Sequence, residues 1–252
     1  LSFIISKDRT FLISHSEDLL DDTDLGRFRE TVARRAEGEP LQYITGVQDF
    51  YGREFRVTPD VLIPRPETEL LVEAGLELIG GVTAPSICDV GTGSGCIAVT
   101  LLCERMDART VAVDVSEAAL AVAGENARRH GVSERITLQT SDCFLGLEPT
   151  EFVLIVSNPP YVSANALAGL QREVRDHEPL VALSPGADGL SVIRRLLRDG
   201  AGFVKPNGHL IMEIGFDQGE RVQQLIDPEL WHLIEIRPDL QGIPRIVVVQ
   251  RR

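Results

Sequence analysis

Residues 86–96 read Ser-Ile-Cys-Asp-Val-Gly-Thr-Gly-Ser-Gly-Cys, and this stretch decides the fold class. Its first five residues are mostly apolar, as in a buried strand, and three alternating glycines follow directly. The apolar residues that continue to Arg105 have the spacing of a helix. A strand, a glycine-rich turn and a helix in this order are typical of a parallel α/β sheet.

The same alternation of strand and helix continues to the end of the chain. Strands are predicted at residues 86–90, 110–114, 136–140, 152–157, 209–214, 233–237 and 246–250. Helices are predicted at residues 96–105, 117–130, 191–204 and 218–226. The pattern predicts a doubly wound α/β fold, with a mostly parallel sheet of seven strands covered on both faces. No helix separates the last two strands, so we expect a hairpin that adds an antiparallel strand.

The residues before this sheet predict a small appended domain. Apolar side chains recur at helical spacing over residues 24–37, and residues 48–57 alternate around Tyr51-Gly52 as a hairpin does. Pro66 is placed as the first residue of a further helix that ends at Gly80. We expect three parts: an incomplete helical domain over residues 1–39, a linker with a β-hairpin over 40–66, and the α/β domain over 67–252.

Composition and charge limit the possible functions. The chain has 252 residues, 43% of them hydrophobic and 25% charged, as in an ordinary globular protein. It shows neither an apolar run near the roughly 18 residues that span a bilayer nor the pattern of a secretion signal. We therefore expect a cytoplasmic protein without a membrane partner. The net charge of −13 repels phosphate backbones, so we expect no stable nucleic-acid partner.

The spacing of cysteines and histidines predicts no metal site. The four cysteines, Cys88, Cys96, Cys103 and Cys143, form no Cys-x-x-Cys pair, and three of them lie in apolar segments. The five histidines are scattered without a pair at ligand spacing. We therefore expect reduced, buried thiols and no bound metal.

The turn after the first strand offers backbone groups to a ligand. Its glycines permit a sharp turn and a close approach, and the following helix N-terminus supplies free N–H groups. A dinucleotide fingerprint needs a third glycine where the chain has Cys96, which disfavours a nicotinamide or flavin oxidoreductase. A plain tight turn is the alternative. The candidate cofactor-binding residues here are Gly91, Thr92, Gly93, Ser94 and Gly95.

Acidic residues follow the next two strands. Asp114 ends the second strand about 23 residues after Gly91, the spacing of a carboxylate that accepts ribose hydroxyls. The alternative role of Asp114 is a helix cap, but Ser116 is better placed for that. Asp142 and Cys143 follow the third strand and offer an acceptor for an exocyclic amine beside apolar packing. An ordinary turn at the end of the strand is the alternative. Together these strand ends predict a nucleoside pocket, which S-adenosylmethionine fits best.

The fourth strand ends in Asn158-Pro159-Pro160-Tyr161. The two prolines remove two backbone donors, so the carbonyls of Asn158 and Pro159 stay free to accept hydrogen bonds. With the Asn158 side-chain carbonyl and the Tyr161 ring, this corner suits a planar group that bears an NH2. A simple stop signal is the alternative. One strand away from a nucleoside pocket, all four residues become candidate catalytic residues, and Asn158 is a cofactor-binding candidate as well.

On these motifs the chain resembles class I methyltransferases with an (Asp/Asn)-Pro-Pro-Tyr motif. More of it is similar to one family, the protein-(glutamine-N5) methyltransferases of peptide chain release factors. That similarity rests on residues 38–46, Gly-Glu-Pro-Leu-Gln-Tyr-Ile-Thr-Gly, and 62–69, Leu-Ile-Pro-Arg-Pro-Glu-Thr-Glu. The family often has an aromatic residue where this chain has Cys143.

The resemblance implies a substrate and a mechanism. The substrate would be the glutamine of the Gly-Gly-Gln motif in a class 1 release factor, recognised in part by the helical domain before Gly38, and S-adenosylhomocysteine would be the product. An amide nitrogen is a poor nucleophile and Asn158 is too weak a base to deprotonate it. Asn158 and the Pro159 carbonyl would instead accept its two N–H bonds, with Tyr161 stacked on the amide plane.

Other assignments stay open from the sequence. The acceptor could be a glutamine of a ribosomal protein or, less in keeping with the charge, an amino group of a nucleic acid; a cofactor-binding module without catalysis is a third possibility. Arg65 would contact the cofactor, the substrate or only solvent, and Glu213 would be functional or structural. Residues 162–187 are expected to form a long loop of the kind that serves as a lid or a binding surface.

Overall fold

The structure is a computed structural model that describes residues 1–148 and 151–252. Short helices open the chain, and a two-stranded hairpin follows them. The helices are α1 (Ser2–Ile5), α2 (Arg9–Ser14), α3 (Asp22–Ala36) and α4 (Leu41–Thr45). The hairpin pairs β1 (Val47–Phe50) with β2 (Arg53–Arg56). Tyr51 and Gly52 join these strands at φ values of 51° and 68°, as the tight turn of the predicted hairpin requires.

The rest of the chain builds one sheet with helices on both faces. Its strands are β3 (Ser86–Val90), β4 (Arg109–Asp114), β5 (Ile136–Thr140), β6 (Phe152–Ser157), β7 (Val204–Glu213), β8 (Trp231–Pro238) and β9 (Pro244–Arg251). The helices are α5 (Glu69–Ile79), α6 (Cys96–Glu104), α7 (Glu117–Arg129), α8 (Arg172–His177), α9 (Leu180–Leu183), α10 (Ser191–Gly200) and α11 (Gly219–Gln223).

The strand order of this sheet is β5-β4-β3-β6-β7-β9-β8. Strands β3 to β7 pair in parallel, whereas β9 is antiparallel to both β7 and β8. The predicted fold class is therefore confirmed, including the antiparallel hairpin at the end of the chain. The chain runs outward from β3 to β5 and then returns to the other side of β3, which leaves a crevice at the carboxyl ends of β3 and β6.

Successive side chains of the central strands point to opposite faces of the sheet, which explains why both faces are covered. Every residue of β6 is buried, as a parallel strand between two helical layers requires. Leu154 and Val156 pack with α5, α6 and the hairpin in one apolar cluster. Ile155, on the opposite face, packs with α10 and Trp231 in a second cluster. A slip of one residue would exchange these faces and force both clusters to repack.

Several predicted boundaries were wrong. The helix predicted at 191–204 ends at Gly200, because Val204 already pairs with Phe152 as the first residue of β7. The helix predicted at 218–226 is limited to α11. The loop predicted at 162–187 contains α8 and α9, which are too short to show a helical period. Among the described residues, no helix is long and apolar enough to cross a membrane.

Candidate active site

A cavity opens at the carboxyl ends of β3, β4, β5 and β6, where the strand order changes direction. Ligands of open α/β sheets bind at this kind of switch point. Its walls come from the glycine turn after β3 and from the segments that follow the other three strands. The predicted site residues on these walls are Gly91, Thr92, Gly93, Ser94, Asp114, Asp142, Cys143, Asn158, Pro159 and Pro160. The parallel sheet thus brings together residues that are far apart in the sequence.

The glycine turn presents bare backbone to the cavity. Gly91 and Gly93 have φ values of 75° and 55°, in the left-handed region that favours glycine. A Cβ atom built on either glycine meets no atom of the described residues within 4 Å and would project into open space. The N–H groups of Gly91 and Thr92 donate to the Val113 carbonyl at 2.8 and 2.9 Å, which ties the turn to β4. This cradle fits a ligand that needs close contact with the backbone.

Gly95 has a packing role in the same turn. It precedes α6 with a φ of 79° and does not line the cavity. A Cβ atom there would lie 3.1 Å from Ala123 Cβ and 3.2 Å from Ala123 Cα, where the turn meets α7. A side chain would therefore push the turn away from that helix.

Asp114 stands at the end of β4 with its carboxylate held in place by the backbone. The Gly93 N–H donates to Asp114 Oδ2 at 2.9 Å, and the Ser116 N–H donates to Oδ1 at 3.0 Å. Each oxygen keeps a further lone pair for a ligand on the cavity side. Ser116, rather than Asp114, caps α7, because its hydroxyl oxygen accepts the Ala119 N–H at 3.1 Å. This geometry suits an acceptor of ribose hydroxyls.

Asp89 is a buried carboxyl group beneath the glycine turn that the site prediction did not include. It is 0% exposed, and its Oδ2 accepts a hydrogen bond from the Thr92 hydroxyl at 2.7 Å. Its Oδ1 has no hydrogen-bond partner among the described residues. The pKa of Asp89 is raised to about 7, mainly by burial and in smaller part by the charge of Asp114, while the hydrogen bond from Thr92 acts in the opposite direction. An acidic residue inside an apolar strand was the available sequence signal.

A cation from a helix that is distant in the sequence contacts the turn after β5. Arg195 from α10 donates to Asp142 Oδ1 at 2.7 Å and to the Asp142 carbonyl at 3.1 Å. The predicted adenine acceptor is therefore partly engaged, which leaves Oδ2 for a ligand. Cys143 takes a left-handed φ of 55°, and the Ser141 hydroxyl donates to its carbonyl at 2.9 Å. Burial raises the pKa of the Cys143 thiol, so it acts as a small apolar wall.

The corner after β6 is backed by a chain of buried polar groups. Asn158 Nδ2 donates to Thr68 Oγ1 at 3.1 Å, and the Thr68 hydroxyl donates to Glu213 Oε2 at 2.7 Å. The Tyr161 hydroxyl donates to Glu213 Oε1 at 3.2 Å. Thr68 comes from the 3₁₀ turn before α5, and Glu213 ends β7. The sequence gives no sign that these two residues meet.

Burial dominates the electrostatics of this corner. Glu213 is 1% exposed, and desolvation raises the pKa of its carboxyl group. The hydrogen bonds from Thr68 and Tyr161, and the charge of Arg245, act in the opposite direction. Burial also raises the pKa of the Tyr161 phenol, with the charge of Glu213 as a further cause. Tyr161 is therefore a neutral hydrogen-bond donor at physiological pH.

A second cleft adjoins the cavity at this corner. Its walls include Tyr161, Glu213 and Arg245, together with Val174 of α8. Five residues line both spaces: Leu62, Arg65, Asn158, Pro159 and Ala182. The strand-end cavity and the second cleft therefore share a wall formed in part by the first two residues of the Asn-Pro-Pro-Tyr motif.

Arg65 joins this wall to the segment between β6 and α10. Its guanidinium donates to Glu178 Oε1 at 2.5 Å, and the Ile63 N–H donates to Glu178 Oε2 at 3.4 Å. The Glu178 side chain is 1% exposed, so desolvation raises its pKa while Arg65 lowers it. This ion pair fixes the entry of α9 against the residues that precede α5.

Metal and disulfide chemistry find no support in the described residues. Within residues 1–148 and 151–252, no group of three or more His, Cys, Asp or Glu side chains is arranged to hold a metal ion. All four cysteines are unpaired, and three of them are buried. The polar side chains that line the cavity include carboxylates, a carboxamide, hydroxyl groups and the guanidinium of Arg65, which suit an organic ligand that carries hydroxyl and amino groups.

Comparisons with known proteins agree with this geometry. Residues 67–174 match the family model of the methyltransferase small domain, and residues 1–46 match that of the PrmC N-terminal domain. The release factor glutamine methyltransferase of Nitratidesulfovibrio vulgaris is 43% identical, over 100% of this chain and 86% of that protein. The protein of the same name from Koribacter versatilis is 44% identical, over 98% of this chain and 88% of its own length.

A solved structure supports the fold alone. The ribosomal protein L11 methylase of Lactobacillus delbrueckii subsp. bulgaricus superimposes with a TM-score of 0.57 at 20% identity, over 81% of this chain and 90% of that one. The fold, the glycine cradle and the strand-end acceptors define a class I methyltransferase that uses S-adenosylmethionine. Within that class, the chain belongs to the family of release factor glutamine methyltransferases.

Proposed function

We propose that this enzyme transfers a methyl group from S-adenosylmethionine to the side-chain nitrogen, N5, of the glutamine in the Gly-Gly-Gln motif of a class 1 peptide chain release factor. One observation carries the proposal: the strand-end cavity and the neighbouring cleft meet at Asn158 and Pro159. A donor held in the cavity and an amide held in the cleft would approach each other at that shared wall.

The residues of the cavity are suited to hold the cofactor. Gly91, Thr92, Gly93 and Ser94 would contact it through the backbone, and Asp114 would accept the ribose hydroxyls. Asp142 Oδ2 would accept the adenine amino group beside the Cys143 wall. Bound in this way, S-adenosylmethionine supplies a methyl group on a positively charged sulfur. The acidic groups stabilise this cationic ligand, and the bare turn leaves room for it.

The corner after β6 would position the acceptor amide. The lone pair of an amide nitrogen is delocalised into its carbonyl, so a fixed orientation matters more than a strong base. Asn158 Oδ1 and the Pro159 carbonyl would accept the two N–H bonds and stabilise the positive charge that develops on nitrogen. Tyr161, on the wall of the cleft, would stack on the amide plane. The methylated nitrogen then releases its proton to solvent.

The remaining surfaces would recognise the protein substrate. Arg35 of α3 forms an ion pair of 2.5 Å with Glu173 of α8, the helix that contributes Val174 to the cleft. This contact ties α3 to a helix beside the cleft and supports the proposal that residues 1–39 help to recognise the substrate. A release factor as partner supports a cytoplasmic location for the reaction, and the net charge of −13 disfavours a stable nucleic-acid complex.

The experiment incubates the protein with a class 1 release factor and labelled S-adenosylmethionine. Peptide mass spectrometry should place one methyl group on the glutamine of the Gly-Gly-Gln motif. A release factor whose motif glutamine is replaced by alanine is the matched control and should take no label. Label on a ribosomal protein or a nucleic acid, with none on the release factor, would overturn the proposed substrate.

A further inference from the structure

The polar groups behind Asn158 form a directed chain of hydrogen bonds. Glu213 is 1% exposed and Thr68 is 2% exposed, so neither exchanges its partners readily with solvent. The carboxylate of Glu213 has acceptor sites only, and it receives the hydroxyl hydrogens of Thr68 and Tyr161. Both hydroxyl groups thereby have their single hydrogen committed to the same carboxylate.

That commitment decides the orientation of the Asn158 carboxamide. The Thr68 oxygen, having donated its hydrogen to Glu213, can only accept a hydrogen bond from Asn158. Nδ2 is the donor of the carboxamide and lies 3.1 Å from Thr68 Oγ1. Oδ1 is therefore turned away from Thr68, and Asn158 itself belongs to the wall shared by cavity and cleft. A rotation by 180° would place two oxygens without a hydrogen against each other and would present an NH2 group to the acceptor.

We propose that Thr68 and Glu213 are positioning residues which hold Asn158 Oδ1 towards the acceptor amide, so that the methyl-accepting nitrogen meets a carbonyl oxygen and not an NH2 group. This inference rests on the proposed function, because it assumes an acceptor with N–H bonds. Thr68 lines the strand-end cavity and Glu213 lines the second cleft, and each is assigned a role through its hydrogen bonds and not through contact with the reacting atoms. Glu213 acts through Thr68 on the carboxamide, and through the Tyr161 hydroxyl it fixes the ring.

The negative charge of Glu213 is needed for this chain of hydrogen bonds. The groups that act on Glu213 are Arg245 from β9, which favours the ionised form, and Glu67, which opposes it; Cys96 of α6 lies close as well. Burial raises the pKa of Glu213 above that of an ordinary glutamate. Protonation would add a hydrogen where Thr68 or Tyr161 now donates, and the chain of donors would lose its direction. Transfer should fall as the pH drops through this raised pKa.

The first test measures methyl transfer to the release factor by four variants. Thr68→Val keeps the shape of the side chain without its hydroxyl and should lower kcat on the order of 10-fold to 100-fold, with little change in KM. Thr68→Ser keeps the hydroxyl and should restore most of kcat. Thr100→Val is the matched control, because Thr100 is fully buried in α6 and its hydroxyl has no partner among the described residues. It should behave as the wild type.

The fourth variant tests the role of the charge. Glu213→Gln cannot titrate at this position, so the loss of kcat at low pH that we expect for the wild type should be absent in this variant, whatever its plateau value. If Thr68→Val keeps the wild-type kcat, or if Glu213→Gln keeps the low-pH loss, the inference is wrong. A rise in KM with kcat unchanged would also contradict it, because it would indicate a role in binding only.

A second measurement needs no substrate and separates this inference from the proposed function. The chain has four asparagines, so selective ¹⁵N labelling gives four side-chain NH2 signals, and Asn158→Ala identifies the one that matters. That signal should be protected from solvent exchange in the wild type and in Thr68→Ser, and unprotected in Thr68→Val. The same protection in all three would overturn the inference, whereas failure of the wild type to methylate a release factor would count against the proposed substrate alone.

Discussion

Substitution of Gly93 by alanine should mainly weaken cofactor binding, whereas substitution of Gly95 should mainly destabilise the fold, although the two residues belong to one turn. Both have positive φ values, 55° and 79°, so each substitution costs about 1–2 kcal/mol for the left-handed backbone. The new Cβ at Gly93 meets no described atom within 4 Å and enters the cavity. The new Cβ at Gly95 would lie 3.1 Å from that of Ala123, which adds about 1–3 kcal/mol of overpacking.

The expected effects follow from these distances. Gly93→Ala should lower the free energy of unfolding by about 1–2 kcal/mol. It should weaken S-adenosylhomocysteine binding about 10-fold or more, because a methyl group would occupy part of the site. Gly95→Ala should lower the free energy of unfolding by about 2–5 kcal/mol, with a dissociation constant near that of the wild type for the folded fraction.

Two measurements check this pair of variants. Urea denaturation gives the free energies of unfolding, and isothermal titration calorimetry with S-adenosylhomocysteine gives the dissociation constants, both at a temperature where each variant is folded. Wild-type affinity in Gly93→Ala would refute the assignment of the bare turn to the cofactor. A loss of affinity in Gly95→Ala without a loss of stability would show that Gly95, as the sequence predicts, also binds the cofactor.

Three further predictions concern buried polar groups and use urea denaturation. Arg65→Leu leaves the buried Glu178 carboxylate without its cation and should lower the free energy of unfolding by about 3 kcal/mol. The double variant Arg65→Leu, Glu178→Gln should recover most of that loss. No recovery would contradict the ion pair. Thr110→Val removes a buried hydroxyl without a partner among the described residues and should raise the free energy of unfolding by about 1 kcal/mol, whereas a loss would indicate an unseen hydrogen bond. The pKa of Asp89 is raised to about 7 in the folded protein. The stability of the wild type relative to Asp89→Asn should therefore fall as the pH rises from about 4 to 7, by up to about 1.4 kcal/mol per pH unit. A difference in the free energy of unfolding that stays constant over that range would refute the raised pKa.

There is a physical reason why the sequence predicts that the strand-end residues lie together. Buried parallel strands are continuous apolar runs, so the point where each run stops is readable, and parallel pairing brings all these points to one edge. Gly91 and Asn158 follow such runs, Asp114 ends one, and Asp142 comes after the partly exposed edge strand β5; all four line one cavity in the structure. Gly95 does not line the cavity, and a glycine that permits packing has the same sequence signal as one that admits a ligand, so its role in cofactor binding stays a prediction.

Contacts between distant segments were not predictable in this way. Arg195 reaches Asp142 across 53 residues, and Arg65 reaches Glu178 across 113. These pairs depend on side-chain directions and on loop paths that no periodic pattern encodes. The helices α8 and α9 were missed for a related reason, because one or two turns are held by tertiary packing and not by their own propensity.

The choice of a carboxamide at position 158 follows from groups that lie far away in the sequence. A carboxylate there would place an oxygen against Thr68 Oγ1, whose only hydrogen already points to Glu213. With Glu213 buried behind that hydroxyl, the two carboxylates would repel each other, and one of them would have to take up a proton. A carboxamide donates to Thr68 and accepts from a substrate amide at the same time. The other three residues of the corner are compatible with either group at position 158. Thr68, which lies 90 residues away in the sequence, and Glu213 together favour asparagine.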